Sequence, residues 1–215
     1  MTLYGDVQIY ECDLETLKPS QWINDIIIQF YYEYLTKELL KDESVLFLPP
    51  SLSHLITNVP DVLRVTSALP TGLPKKRLVF IPINDSTSFE YSGSHWSLLI
   101  FFRDTSTYYY YDSLGSSNMY QAKTCMKKIH AVLSPLNPSR HFAVVETPRQ
   151  INSFDCGVYV MAISRIIAER FVKRVDCLTD KPGDLAVWRL SSVITPEYVT
   201  KLRSDVHDLI LKLAR

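Results

Sequence analysis

Gln150-Ile151-Asn152-Ser153-Phe154-Asp155-Cys156-Gly157 runs directly into Val158-Tyr159-Val160-Met161-Ala162-Ile163, a polar segment that turns apolar at a single cysteine. Further on, Arg165, Glu169 and Lys173 recur every four residues. That spacing leaves one narrow polar stripe and predicts a central, mostly buried helix over 157–173 with Cys156 at its mouth. The unpaired N–H groups and positive dipole end of a helix N-terminus favour a thiolate over a thiol, and an imidazolium nearby would add to this. Cysteine is also a small hydrophobe that is often buried without chemistry, and Cys12, Cys125 and Cys177 are read that way. The plainer reading explains Cys156 less well, because polar residues and Gly157 surround it, and a glycine there would let a substrate backbone approach the sulfur. Asp155 reads as a complement to the helix dipole and Asn152 or Ser153 as the cap. Gln150 lies six residues before the thiol. Its amide is a candidate donor to a tetrahedral oxyanion, with the Cys156 N–H as a second; such a donor is typically worth about 3 kcal/mol. Taken alone, Gln150 reads as a surface loop residue.

A nucleophilic thiol needs a base. Two strands, 96–102 and 108–111, flank the polar turn Arg103-Asp104-Thr105-Ser106-Thr107 and should form an antiparallel hairpin. A two-residue turn at Arg103-Asp104 would set His95 directly across from Asp112, with Cβ atoms about 5 Å apart; moving the turn centre one residue makes them diagonal neighbours at roughly 7–8 Å. Either register lets the carboxylate fix the histidine tautomer and stabilise the imidazolium. Alone, His95 would be an ordinary strand-end histidine and Asp112 a turn residue before Ser113 and Leu114; the pairing raises them.

The remaining elements follow from periodicity. A helix opening near Ser20 carries Trp22, Ile23, Ile26, Ile27, Phe30, Tyr31 and Tyr34 at spacings of three and four. Residues 48–75 read as loops with one or two brief helices, and 78–83 as a strand with Pro82 near its end. A helix over 119–133, a strand over 142–146 and a final helix from Thr195 with Pro196 at its first position complete the chain. Tyr108 to Tyr111 read as a strand with aromatic side chains on both faces, not as a stacking surface for bases.

With 215 residues and 47% hydrophobic composition the chain has enough for one core, so a single domain over 1–215 is expected. Lys+Arg and Asp+Glu both total 23, so there is no overall positive field to hold nucleic acid or an anionic membrane. Met1 to Tyr10 lacks the layout of a signal peptide, and no apolar run approaches the roughly 20 residues needed to cross a bilayer; a soluble, intracellular protein is expected. The four cysteines are sparse and lack zinc-site spacing, so reduced thiols are expected.

Gly93-Ser94-His95-Trp96-Ser97-Leu98-Leu99, Tyr111-Asp112-Ser113 and Gln150 through Gly157, in that order, resemble the sentrin/ubiquitin-like-specific cysteine proteases. Trp22-Ile23-Asn24-Asp25 looks like the N-terminal motif of that family, and Ile194-Thr195-Pro196-Glu197-Tyr198-Val199 is similar to the C-terminal segment of its single-domain deneddylase branch. The likeness covers nearly the whole chain. It implies a papain-like α+β fold with a mixed, mainly antiparallel sheet packed by helices, His95, Asp112 and Cys156 as triad, and Gln150 at the oxyanion hole. It also implies that Trp22 and Trp96 flank a narrow tunnel for a diglycine tail, where the plainer reading of both is core anchoring. Asp25 and Asn84 would meet the same tail. The implied chemistry, cleavage after the tail of a ubiquitin-like modifier, uses no metal or organic cofactor. The implied partners are the neddylation modifier and its conjugates, such as cullins, met by a monomer in the cytoplasm or nucleus. A desumoylating protease, an acyl transferase and an inert modifier-binding module are the alternatives. The stretch 176–191, with Pro182, Gly183 and Trp188, is longer than the deneddylase branch leads one to expect.

Overall fold

A strand that is apolar at every position requires a sheet covered on both faces. The computed structural model, which describes residues 2–87, 93–173 and 189–213, contains such a sheet. In chain order the elements are β1 (Thr2–Tyr4), β2 (Val7–Ile9), α1 (Glu11–Glu15), α2 (Asp25–Tyr34), β3 (Val45–Phe47), α3 (Pro50–Asn58), β4 (Leu78–Asn84), β5 (Trp96–Phe102), β6 (Thr107–Tyr111), α4 (Met119–Leu133), β7 (His141–Val144), α5 (Cys156–Val172) and α6 (Pro196–Leu213). Strands β3-β4-β5-β6-β7 lie side by side in that order. The inner pairings β4/β5 and β5/β6 are antiparallel, and the outer ones, β3/β4 and β6/β7, are parallel. The expected mixed α+β architecture is present.

Period-two alternation divides the core between the two faces. Leu78, Phe80, Leu98, Ile100, Phe102, Tyr109 and Tyr111 share one cluster with buried residues of α2, α5 and α6. Val79, Ile81, Ile83, Leu99, Phe101, Tyr108 and Tyr110 share the other with Ile56 of α3 and with Ala122, Cys125, Met126, Ile129 and Leu133 of α4. The four consecutive tyrosines therefore face both ways, and all four are buried. Pro82 is tolerated inside β4 because β3 pairs only as far as Phe80, and the Pro82 carbonyl accepts from Ser53 Oγ at 2.5 Å.

Several boundaries differ from the sequence reading, most of them by one or two residues. Helix α2 opens at Asp25, not near Ser20. Ser20 sits in the left-handed region (φ 66°), and the cap is Asn24, whose Oδ1 accepts from the Ile27 N–H at 3.1 Å while its Nδ2 donates to Asp13 Oδ1 at 2.7 Å. Trp22 and Ile23 therefore precede the helix. The hairpin turn is a 3-10 turn, Arg103–Thr105, closed by Ser106 at φ 50°, which moves the turn centre one residue along, shifts each pairing by two and pairs Leu98 with Tyr111. Strand β7 begins one residue early and ends two residues early, although the Val145 N–H still donates to the Tyr110 carbonyl at 3.0 Å. Helices over 119–133 and from Pro196 stand where expected. The β1/β2 hairpin, α1 and β3 lacked a strong periodic signal because each is five residues or shorter. Among the described residues no helix is long and apolar enough to cross a membrane.

Candidate active site

His95 immediately precedes β5 and Asp112 immediately follows β6, so the antiparallel pair delivers both to one end of the sheet. The register sets them diagonally, as the second of the two expected arrangements, and His95 Nε2 lies 2.8 Å from Asp112 Oδ1 with both side chains buried. Four further bonds hold Asp112. Oδ1 also accepts from the Leu114 N–H at 2.9 Å, Oδ2 from Tyr110 Oη at 2.6 Å and from the Asn118 N–H at 3.4 Å, and its own N–H donates to Thr147 Oγ1 at 3.2 Å. Burial opposes its ionisation, but the His95 and Tyr110 hydrogen bonds prevail and hold the carboxyl down at about 2. Burial also works against a charged His95; its hydrogen bond to Asp112 and the proximity of Cys156 outweigh this and push the imidazole up to about 9. With Nε2 committed to Asp112, the buried Nδ1, which closes no hydrogen bond of good geometry, is the nitrogen left for the thiol.

Cys156 is the first residue of α5, 2% exposed, with eleven buried residues in its helix. Glycine after it also has a packing reason. A Cβ at Gly157 would sit 3.2 Å from Ile23 Cβ and 3.4 Å from Trp96 Cδ1, so the bare backbone lets the helix mouth close on the segment before α2 and on the start of β5. Trp96 Nε1 donates to the Ile23 carbonyl at 3.0 Å and Trp22 Nε1 to the Ser153 carbonyl at 2.9 Å. The two indoles thus pin the Trp22-Ile23 segment across the cysteine loop. Trp22 is 53% exposed, which removes core anchoring as its role; Trp96 is half-buried.

Gln150 is buried rather than a surface loop residue. Its Oε1 accepts from Ser113 Oγ at 2.6 Å and its Nε2 donates one hydrogen to the Asn152 carbonyl at 2.7 Å, leaving the second amide hydrogen for another acceptor. Asp155 does more than complement a dipole: its Oδ1 is gripped by Arg203 of α6 at 2.8 and 3.1 Å, and its Oδ2 accepts from Asn152 Nδ2 at 2.7 Å. Asp25 is half-buried at the first position of α2, and Asn84 ends β4 with its Oδ1 accepting from the Ser86 N–H at 2.8 Å. Of the other cysteines, Cys125 is buried as expected and its thiol pushed up by burial to about 11, whereas Cys12 is exposed; neither is in a disulfide. Cys177, and most of the long stretch at 176–191, lie outside the described residues.

Several supporting residues escaped the sequence reading. Asp85 clamps the backbone at the base: Oδ1 accepts from the Ser94 N–H at 2.7 Å and the His95 N–H at 3.0 Å. A Cβ at Gly93 would collide with the Asn84 and Asp85 side chains, so the glycine serves this clamp. Asn118, wholly buried, donates through Nδ2 to the His95 carbonyl at 3.1 Å and the Ile83 carbonyl at 3.2 Å. The signal that could have found Arg203 is its position between Val199, Leu202, Val206 and Ile210, because a charge on the apolar stripe of a helix needs a buried partner.

A cysteine at the mouth of a buried helix, a buried histidine with one ring nitrogen unbonded and an aspartate holding the other nitrogen are the arrangement a cysteine peptidase requires. The chain matches the Ulp1 protease family, C-terminal catalytic domain, over residues 21–184. It is 32% identical to sentrin-specific protease 8 of Homo sapiens, covering 99% of this chain and 96% of that protein. To NEDD8-specific protease 1 of Arabidopsis thaliana it is 31% identical, over 98% of this chain and 92% of that one. The X-ray structure of the C-terminal Ulp1 protease domain in complex with Smt3, the yeast ortholog of SUMO, superposes with a TM-score of 0.72 at 23% identity, covering 99% of this chain and 87% of that domain. The chain belongs to the Ulp1 protease family of cysteine peptidases.

Proposed function

We propose that this peptidase cleaves after the C-terminal diglycine of the NEDD8 modifier, releasing it from conjugates and maturing its precursor, with cullins among the conjugates. In this reading Cys156 is the nucleophile. Its thiolate attacks the carbonyl of the last tail residue; the tetrahedral oxyanion is held by the Cys156 N–H and the Gln150 amide, and His95 Nδ1 passes its proton to the leaving amine. Asp112 holds the imidazolium in place throughout. Water, deprotonated by His95, then hydrolyses the thioester and restores the thiol. The observation that carries the reading is the 2.8 Å Nε2–Oδ1 contact beside Cys156, because it leaves Nδ1 as the proton-transferring atom and keeps the imidazole protonated at neutral pH.

Trp22 and Trp96 bracket the tail in this reading. Their ring N–H groups are spent on backbone carbonyls, so the ring faces remain to exclude any side chain larger than glycine. Asp25 and Asn84 contact the tail farther from the scissile bond. The chain acts as one catalytic domain and as a monomer, in the cytoplasm or nucleus. Preference for NEDD8 over SUMO rests on the names of the relatives that match over nearly their full length; the Ulp1–Smt3 structure bears on the fold.

Covalent capture tests this. Propargyl or vinyl-sulfone probes built on NEDD8, SUMO and ubiquitin are offered to the chain and to Cys156→Ala. An adduct with the NEDD8 probe alone, absent from the variant, is expected. An adduct with the SUMO probe alone moves the protein to the desumoylating branch, and no adduct with any probe overturns the peptidase mechanism drawn here.

A further inference from the structure

Arg203 is 5% exposed and lies on the face of α6 that carries the buried Val199, Val206 and Ile210. A guanidinium has five N–H donors and no acceptor and does not give up its charge, so in such a place every polar neighbour must accept from it. Nε and Nη2 donate to Asp155 Oδ1 at 3.1 and 2.8 Å, Nη2 to the Phe154 carbonyl at 3.2 Å, and Nη1 to the Thr16 and Lys18 carbonyls at 2.9 and 3.3 Å. Two of these partners are the two residues before the thiol. The other two lie in the segment that leads to Trp22.

From Asp155 the bonds continue. Oδ2 accepts from Asn152 Nδ2 at 2.7 Å, the Asn152 carbonyl accepts from Gln150 Nε2 at 2.7 Å, and Gln150 Oε1 accepts from Ser113 Oγ at 2.6 Å. Asn152 Oδ1 also takes the Phe154 and Asp155 N–H groups at 3.1 and 3.0 Å, which fixes the loop between the amide and the sulfur. This chain of bonds runs from the last helix to the Gln150 amide and bypasses the His95 imidazole.

We propose that Arg203 is a positioning residue that sets the oxyanion hole. Acting through Asp155 and Asn152, it fixes where the Gln150 amide and the Cys156 N–H stand relative to the acyl carbonyl. The inference rests on the reading of Cys156 as nucleophile and Gln150 as oxyanion donor. Arg203 touches no reacting atom. Its effect therefore falls on stabilisation of the tetrahedral state and not on formation of the thiolate–imidazolium pair.

The test uses two single variants of the full chain and their combination. Arg203→Lys keeps a cation beside Asp155 but cannot span the three backbone carbonyls. Asn152→Ala cuts the network one link nearer the amide, at a half-buried position. Two rates are read: turnover of a NEDD8 reporter ending in a diglycine amide, and alkylation of Cys156 by iodoacetamide, which needs the thiolate but no oxyanion hole. Each variant is expected to lower kcat by about 10- to 100-fold with KM within about threefold and alkylation within about twofold. The double variant should be no slower than Asn152→Ala alone, as members of one network behave. A kcat within about twofold of wild type, a change confined to KM, alkylation slowing in step with kcat, or multiplicative losses in the double variant would each overturn the proposal. Should Gln150→Ala leave turnover intact, the fault lies in the underlying assignment of the oxyanion donor, which the Arg203 variants by themselves do not report.

Discussion

At His95, burial favours the neutral ring, and two neighbours, Asp112 and Cys156, favour the charged one. The neighbours prevail and raise the imidazole to about 9. In the proposed reaction the imidazolium protonates the leaving amine, so turnover of an amide reporter should hold through neutral pH and fall as pH rises through about 9. Iodoacetamide alkylation of Cys156 consumes no proton and should not fall over the same range; a parallel decline would assign the limb to another group. A second prediction belongs to Gly157. Alanine there gains helix propensity of about 1 kcal/mol, but its Cβ meets Ile23 and Trp96, which are locked together by the Nε1 bond. Overpacking of this kind costs about 1–3 kcal/mol. The net loss of stability should be under about 2 kcal/mol by denaturant unfolding, while reporter turnover falls at least about 10-fold as Trp96 is displaced beside His95. Residue by residue, the His95–Asp112 pair was legible because hairpin geometry fixes neighbours from numbering alone. The Asp85 clamp and the buried Asn118 were not, since both depend on contacts between a loop and strand ends that carry no periodic signal.

At the scale of elements, long segments declared themselves. Helix α4 has the bounds its pattern predicts, and α5 begins one residue before them because the cysteine itself is helical. The start of α2 differs because Ser20 and Asn24 are both good caps by residue type; Ser20 lies in the left-handed region, and it is Asn24, held by Asp13, that caps the Ile27 N–H. The hairpin turn centre lies one residue further along because a 3-10 turn fits the polar loop as well as a two-residue turn does. Helix α6 was visible as a helix, but not as the element that braces the cysteine loop. Replacing Arg203 with alanine strands the Asp155 carboxylate, which is buried, and leaves three backbone carbonyls without that donor. Removing one partner of a buried pair typically costs about 3–5 kcal/mol. For a chain of this length that corresponds to a melting temperature lower by roughly 10 °C. A calorimetric midpoint within about 2 °C of wild type would mean that the brace contributes little to the fold.

For the molecule as a whole, the same two ionisations that serve the proposed chemistry should shape stability against pH. Asp112 has a folded value of about 2, below its ordinary carboxyl value, so its contribution is complete above about pH 4 and is lost as pH falls through about 2. His95 has a folded value of about 9, above its ordinary imidazole value, so its contribution is complete below about pH 6.5 and is lost as pH rises through about 9. The pair therefore stabilises the fold most between about pH 4 and 6.5, and the stabilisation fades before the alkaline limb of activity is passed. Asp112→Asn removes the charge but keeps the shape and one oxygen. The gap in unfolding free energy between wild type and Asp112→Asn should be widest near pH 5, narrow steadily from about pH 6.5 to 9, and close toward pH 2. Urea unfolding of both chains at half-unit pH steps measures it. A gap that stays constant from pH 5 to about 9.5 would mean that His95 does not take up its proton on folding as its contacts with Asp112 and Cys156 require.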